Sequence, residues 1–202
     1  SGHPVNAIQS SIKPIRSKTI SDINHDTKRA SLVCLINSVR QIKDRKGKPL
    51  TFINFDDGTG VMDGVVAGET LEDCHSILKE GQILVLKGAV EIDDFRSKDL
   101  GDAMYRMRVK EVHALDSELA RKVLKVVVNI EKSELVSLDK FSEKLDEIDG
   151  SFWKEGVCQL HIRVLTDESE AIINIGEHFK FLPTLSNISF LKELFGNESL
   201  EI

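Results

Sequence analysis

The segment Arg40-Gln41-Ile42-Lys43-Asp44-Arg45-Lys46-Gly47-Lys48-Pro49-Leu50-Thr51-Phe52-Ile53-Asn54-Phe55-Asp56-Asp57-Gly58-Thr59-Gly60 carries two signals back to back. Its first part sets five cations, Arg40, Lys43, Arg45, Lys46 and Lys48, against one acid, Asp44. Its second part is a run of β-forming residues, Thr51 to Phe55, that stops at Asp57-Gly58 with Gly60 close behind. Glycine accepts positive φ, so this reads as a tight hairpin. Working outward, Leu32–Val39 is a mostly apolar strand before the basic loop, and Val61–Val66 is the return strand of the hairpin. Within Glu69–Lys79, Leu71, Cys74, Ile77 and Leu78 recur at helical spacing, and Gly81 is positioned to close that helix. Gln82–Ile92 is a fourth strand, with Gly88 where a barrel strand can bend. Met104–Leu115 is a fifth, in which Tyr105, Met107 and Val109 alternate with Arg106, Arg108 and Lys110. Three strands, a helix and two more strands is the order of an OB-fold, a five-stranded β-barrel.

The flanks are organised differently. Residues 1–29 hold two prolines and much Ser and Asn, which predicts a short helix after Pro4 and then a connector with too little apolar surface to fold alone. Residues 116–202 read as β-α-β-β-α-β. A strand ends at Ile130, and a helix lies within Ser133–Ile148. Gly156–Leu165 and Glu170–Ile175 form a hairpin, Pro183–Phe195 is a second helix, and Ser199–Ile202 is a last short strand. The predicted fold is therefore mixed: a connector over 1–29, an OB-fold barrel over 30–115, and a small α+β domain over 116–202.

Charge follows the same division. The chain is 202 residues long with a net charge of −6. Residues 1–29 carry +3, residues 30–115 carry −2 and residues 116–202 carry −7. An acidic terminal third argues against nucleic acid there and for a protein-facing role. A concentrated positive loop on an acidic chain is a placed feature rather than a compositional accident. No apolar run reaches the roughly 18 residues that span a bilayer, so no membrane partner is expected. Cys34, Cys74 and Cys158 are odd in number and far apart, which fits reduced thiols in a cytoplasmic protein.

Catalytic constellations are not evident. There is no phosphate-binding Gly-rich loop and no dinucleotide fingerprint. Cys74-His75 lacks a second metal-binding pair, and Asp56-Asp57 fits a turn better than a magnesium site. No catalytic residue, metal or cofactor is expected. The basic loop is the remaining candidate: Lys and Arg suit phosphates, and flat side chains suit bases. Arg40, Lys43, Arg45, Lys46, Lys48, Arg106 and Arg108 are the expected cations. Phe52 and Phe55 have opposite parity along their strand, so at most one faces outward; Phe55 is the expected stacking residue. Weak, salt-sensitive, sequence-tolerant binding of a single strand follows. A protein-only scaffold and a tRNA anticodon-binding module are the alternatives.

A resemblance adds to this. Gly2-His3-Pro4, then Arg45-Lys46-Gly47, Phe52-Ile53-Asn54-Phe55-Asp56-Asp57-Gly58-Thr59-Gly60, Asp93-Asp94-Phe95 and Tyr105-Arg106-Met107-Arg108-Val109-Lys110-Glu111-Val112 resemble the C-terminal region of the bacterial replicative DNA polymerase III alpha subunit. Ala171 to Gly176, Phe181-Leu182-Pro183 and Leu191 to Gly196 are similar to the terminal domain of that family. The resemblance implies a non-catalytic portion of a DNA-directed DNA polymerase, with the polymerase site and the contacts to other replisome subunits in upstream regions. It implies that the OB-fold contacts single-stranded template DNA and that the terminal domain docks the tau subunit of the clamp loader. Leu185, Phe190, Leu194, Phe195 and Leu200 are the expected tau contacts.

Overall fold

The computed structural model describes residues 2–43, 47–93, 97, 104–131, 137–153, 156–165 and 168–202. The chain forms two compact units, Ser1–Glu118 and Leu119–Ile202.

The first unit opens with two short helices, α1 (Pro4–Ala7) and α2 (Gln9–Ile12), then a 3-10 turn at Ile20–Asp22. Pro4 stands in the first turn of α1, where a missing N–H costs nothing, and His3 Nδ1 accepts a hydrogen bond from Val5 N. Five strands follow: β1 (Arg29–Lys43), β2 (Pro49–Asp56), β3 (Val61–Ala67), β4 (Ile83–Ile92) and β5 (Tyr105–Ala114). They close a barrel in the order β1-β2-β3-β5-β4, antiparallel except for the β3–β5 pair. This is the expected OB-fold. The helix α3 (Glu69–Cys74) joins β3 to β4 and places Leu71 and Cys74 in the barrel core beside Leu78. It stops earlier than its apolar spacing suggests, and Gly81 (φ +78°) serves the turn into β4, where its N–H donates to Ile36 O.

The core is built by parity. Leu32, Cys34 and Ile36 of β1 point inward with Ile53 and Phe55 of β2 and Met107 and Val109 of β5. Phe55 is fully buried, which corrects the expectation that it stacks a base: a ring inside the barrel is out of reach of any ligand. Gly64 faces it, and a Cβ there would lie 2.9 Å from the Phe55 ring. Gly88 meets a register shift between β4 and β5, and a Cβ at that position would fall 2.3 Å from Arg108 O.

A β-bulge between Ile36 and Ser38 reverses the parity of β1. Up to Ile36 the even residues face inward. Beyond the bulge Val39 packs against the core, while Ser38, Arg40 and Ile42 are exposed. A bulge adds one residue to one strand and so re-aims every side chain after it. The β1–β2 ladder then runs on to Lys43↔Pro49. Arg40 and Lys43 therefore belong to a strand, not to the basic loop, because backbone pairing with β2 continues past the apolar run.

The N-terminal segment lies over the β2–β3 turn. Ile20 N donates to Asp57 Oδ2 at 2.8 Å and Ser21 N to Thr59 Oγ1 at 3.2 Å. His3 Nε2 lies 3.3 Å from Asp56 Oδ1. Asp57 is fully buried and also accepts from Thr59 N, so the adjacent acids build the turn.

The second unit holds β6 (Lys125–Glu131), α5 (Ser137–Asp146), β7 (Cys158–Leu165), β8 (Glu170–Asn174), β9 (Lys180–Phe181), α6 (Leu185–Phe195) and β10 (Leu200–Glu201). A helix α4 (Leu115–Lys122) precedes β6. The sheet order is β10-β6-β7-β8, with β9 also on β7. The pattern is the expected α+β one with an extra two-residue strand, β9, too short to show in the sequence. Val126, Val128, Leu160, Phe181, Ile188 and Leu191 are among its buried residues.

Candidate nucleic-acid interface

The outer face of the barrel sheet is the candidate site. In register, Arg40 of β1 lies opposite Phe52 of β2, Phe52 opposite Val65 of β3, and Val65 opposite Arg108 of β5. One transverse row thus reads Arg-Phe-Val-Arg across four strands. The next row reads Ser38, Asn54, Asp63 and Arg106. Its polar groups are linked: Asn37 Nδ2 donates to Asn54 Oδ1 at 3.1 Å, and Asn54 Nδ2 donates to Asp63 Oδ1 at 2.7 Å. The two rows, Arg108 apart, line a groove of about 610 Å³ that also includes Ile42 and Asp93. A second hollow of about 420 Å³ continues over Leu50, Ala67, Glu91 and Lys110 and shares Phe52, Val65 and Arg106 with the first.

Phe52 is the centre of this surface and is 40% exposed. An aromatic ring that far out of a sheet is costly to leave in water and offers a flat apolar platform. The guanidiniums on either side sit at the same level of the sheet, where cations flank a stacked base and meet its phosphates. Arg106 and Arg108 are exposed on β5, and both approach Glu91 of β4: Arg108 Nη2 lies 2.8 Å from Oε1 and Arg106 Nη2 lies 3.8 Å from Oε2.

Of the expected nucleic-acid residues, the structure brings Arg40, Arg106 and Arg108 onto one face. Lys43 and Lys48 are exposed near the far end of the β1–β2 hairpin. Arg45 and Lys46 lie outside the described residues. Phe55 is in the core, and Phe52 stands on the outer face where Phe55 was expected. The sequence contained the signal: in Thr51 to Asp56 the set holding Asn54 and Asp56 is the one that faces water, and Phe52 belongs to it. Val65, Asn54, Asp63 and Glu91 join the face only through strand register.

The thiols take no part. Burial pushes Cys34 well above the ordinary cysteine range and Cys158 up to about 12, so both stay protonated and unreactive at neutral pH.

In the second unit the expected contacts separate. Leu200 is buried where β10 pairs with β6, which corrects its expected role: a side chain inside the sheet layer presents nothing to a partner. The Phe195 ring stacks on Phe141 with centroids 5.0 Å apart, and Lys144 Nζ sits 5.8 Å above it. Leu185 and Leu194 are half-buried. Phe190 is 40% exposed and lines a hollow of about 490 Å³ with Phe152, Leu182 and Asn187. Phe152 in turn stacks on the buried Phe181 at 5.3 Å. No helix among the described residues is long and apolar enough to cross a membrane.

Residues 32–115 match the OB-fold nucleic acid binding domain family. Over 98% of its length the chain is 23% identical to a protein from Pseudomonas fluorescens named DNA polymerase III subunit alpha, and it spans 16% of that relative. A protein of the same name from Neisseria meningitidis serogroup A is 30% identical over 49% of this chain and 8% of its own length. Among solved structures, the SSB domain of a Synechococcus sp. protein aligns with 45% of this chain and 99% of its own at 13% identity, with a TM-score of 0.36.

Proposed function

From its homology along the whole chain to DNA polymerase III subunit alpha, we propose that this is a non-catalytic portion of a replicative polymerase, corresponding to the C-terminal region. The barrel holds single-stranded template DNA, and the terminal unit docks the tau subunit of the clamp loader. The parent protein polymerises DNA elsewhere in its length and works in the cytoplasm with the other replisome subunits. The observation that carries the DNA reading is the transverse row Arg40–Phe52–Val65–Arg108. A base stacks on Phe52, and neighbouring phosphates meet the guanidiniums. Among the described residues the polar groups nearest the row, Asn54 and Asp63, are bonded to each other rather than held open to read a base, so binding tolerates sequence. For tau, the exposed Phe190 and the hollow it shares with Phe152 and Leu182 offer an apolar anchor on an acidic unit.

The test is fluorescence anisotropy of a labelled single-stranded oligonucleotide against this chain at about 50 and 200 mM salt. Binding that weakens with salt, at a slope of about 0.7 per phosphate contacted, is the expected result. No binding at the lower salt overturns the DNA reading and leaves a protein-docking scaffold. Preference for a tRNA anticodon loop points instead to an RNA module.

A further inference from the structure

Glu91 is an acid at the centre of the cations that a nucleic-acid backbone would need. In the β4–β5 ladder it lies directly opposite Arg106. Its carboxylate spans both β5 guanidiniums, 2.8 Å from Arg108 Nη2 and 3.8 Å from Arg106 Nη2. It is 31% exposed, against 44% for Arg106 and 58% for Arg108, so all three are open to a ligand. Glu91, Arg106, Arg108 and Lys110 line the same hollow as Phe52. The fold has little need of this pairing: an exposed cross-strand ion pair contributes little to stability, and the β4–β5 ladder extends from Leu84 to Ile92 without it.

We propose that Glu91 is an affinity-setting residue, a built-in competitor that occupies the guanidiniums of Arg106 and Arg108 and must be displaced by a phosphate before they engage a strand. The proposal rests on the strand-binding reading above. A carboxylate and a phosphate present the same kind of paired acceptor oxygens to the guanidinium fork, so the two compete for one set of donors. Displacement has two effects. The ion pair is lost, and the freed carboxylate is left beside a phosphate of like sign, so affinity falls. The freed carboxylate also takes up a cation from solution while the strand releases its own, so the salt dependence is damped. A strand is thereby held loosely enough to slide past the surface, with Phe52 supplying a contact that Glu91 does not oppose.

The experiment compares the intact chain with E91Q, E91A, R108A, F52A, the double variant R106A/R108A and the triple variant E91Q/R106A/R108A, using a labelled oligothymidine of roughly 16 nucleotides. Glutamine keeps the size of the side chain and removes its charge. E91Q is expected to bind roughly fivefold more tightly, the size of a lost exposed ion pair, with a steeper salt slope and an unchanged melting temperature. E91A should do the same, and the gain should vanish when both arginines are removed. If R108A and F52A weaken binding while E91Q binds no more tightly, Glu91 only orients the arginines and the inference is overturned, with strand binding intact. If R108A and F52A change nothing, the strand-binding reading itself fails, and the inference falls with it.

Discussion

Two pairs of phenylalanines divide this molecule in the same way. On β2, Phe55 is fully buried in the barrel, whereas Phe52, three residues earlier, stands on the outer face with Arg40 and Arg108 in its row. On α6, Phe195 is stacked under Lys144 against Phe141, whereas Phe190, five residues earlier, is 40% exposed at the rim of a hollow. In each pair one ring is packed among its neighbours and the other is more open: Phe190 touches Phe152, with centroids 5.5 Å apart, yet stays 40% exposed. The backbone spacing alone separates them: three residues on a strand reverse the face, and five on a helix turn the side chain well away. A ring committed to packing contributes to stability, and its exposed counterpart is available to a ligand.

Three substitutions test this contrast. The largest effect belongs to Phe55→Ala, which empties the middle of the barrel. It should cost about 3–5 kcal/mol of folding stability, read from the urea midpoint, and it should lower DNA affinity only as far as it unfolds the chain. Phe52→Ala should do the reverse. It is expected to cost about 1–3 kcal/mol of single-strand affinity by anisotropy, one stacked base's worth, while the urea midpoint barely moves. The smallest change is that of Phe190→Ala, with a loss of about 1 kcal/mol in tau binding by calorimetry and a melting temperature close to that of the intact chain. If Phe52→Ala instead destabilised the barrel as much as Phe55→Ala, the outer ring would be structural and the contrast would collapse.

The barrel was legible because β1 and β4 carry apolar runs, β5 alternates cleanly, and Gly58, Gly60 and Gly81 mark the breaks between elements. The interface was half legible. Arg106 and Arg108 were visible because they share parity against Met107 and Val109. Phe52 was obscured by Phe55, two apolar rings of opposite parity in one short strand, although Asn54 and Asp56 mark the wet side. The bulge at Asn37 was harder still. It shows only as a change from even to odd apolar positions between Ile36 and Val39, and without it Arg40 would face the core. Glu91 joins the site through a cross-strand register that no local pattern encodes. Leu200 misled because a two-residue strand has no period to read.

The covered turn between β2 and β3 has a practical side. Asp57 accepts Ile20 N in a fully buried position, and a Cβ on Gly58 (φ +83°) would lie 2.4 Å from Asn6 Oδ1. At Gly47, by contrast, a Cβ would meet nothing within 4 Å among the described residues. The barrel therefore has one end open to grafting and one end sealed. A reporter peptide or a split-protein junction belongs at the Gly47 end, and the same insertion between Asp57 and Gly60 would first have to pry residues 3–21 off the turn.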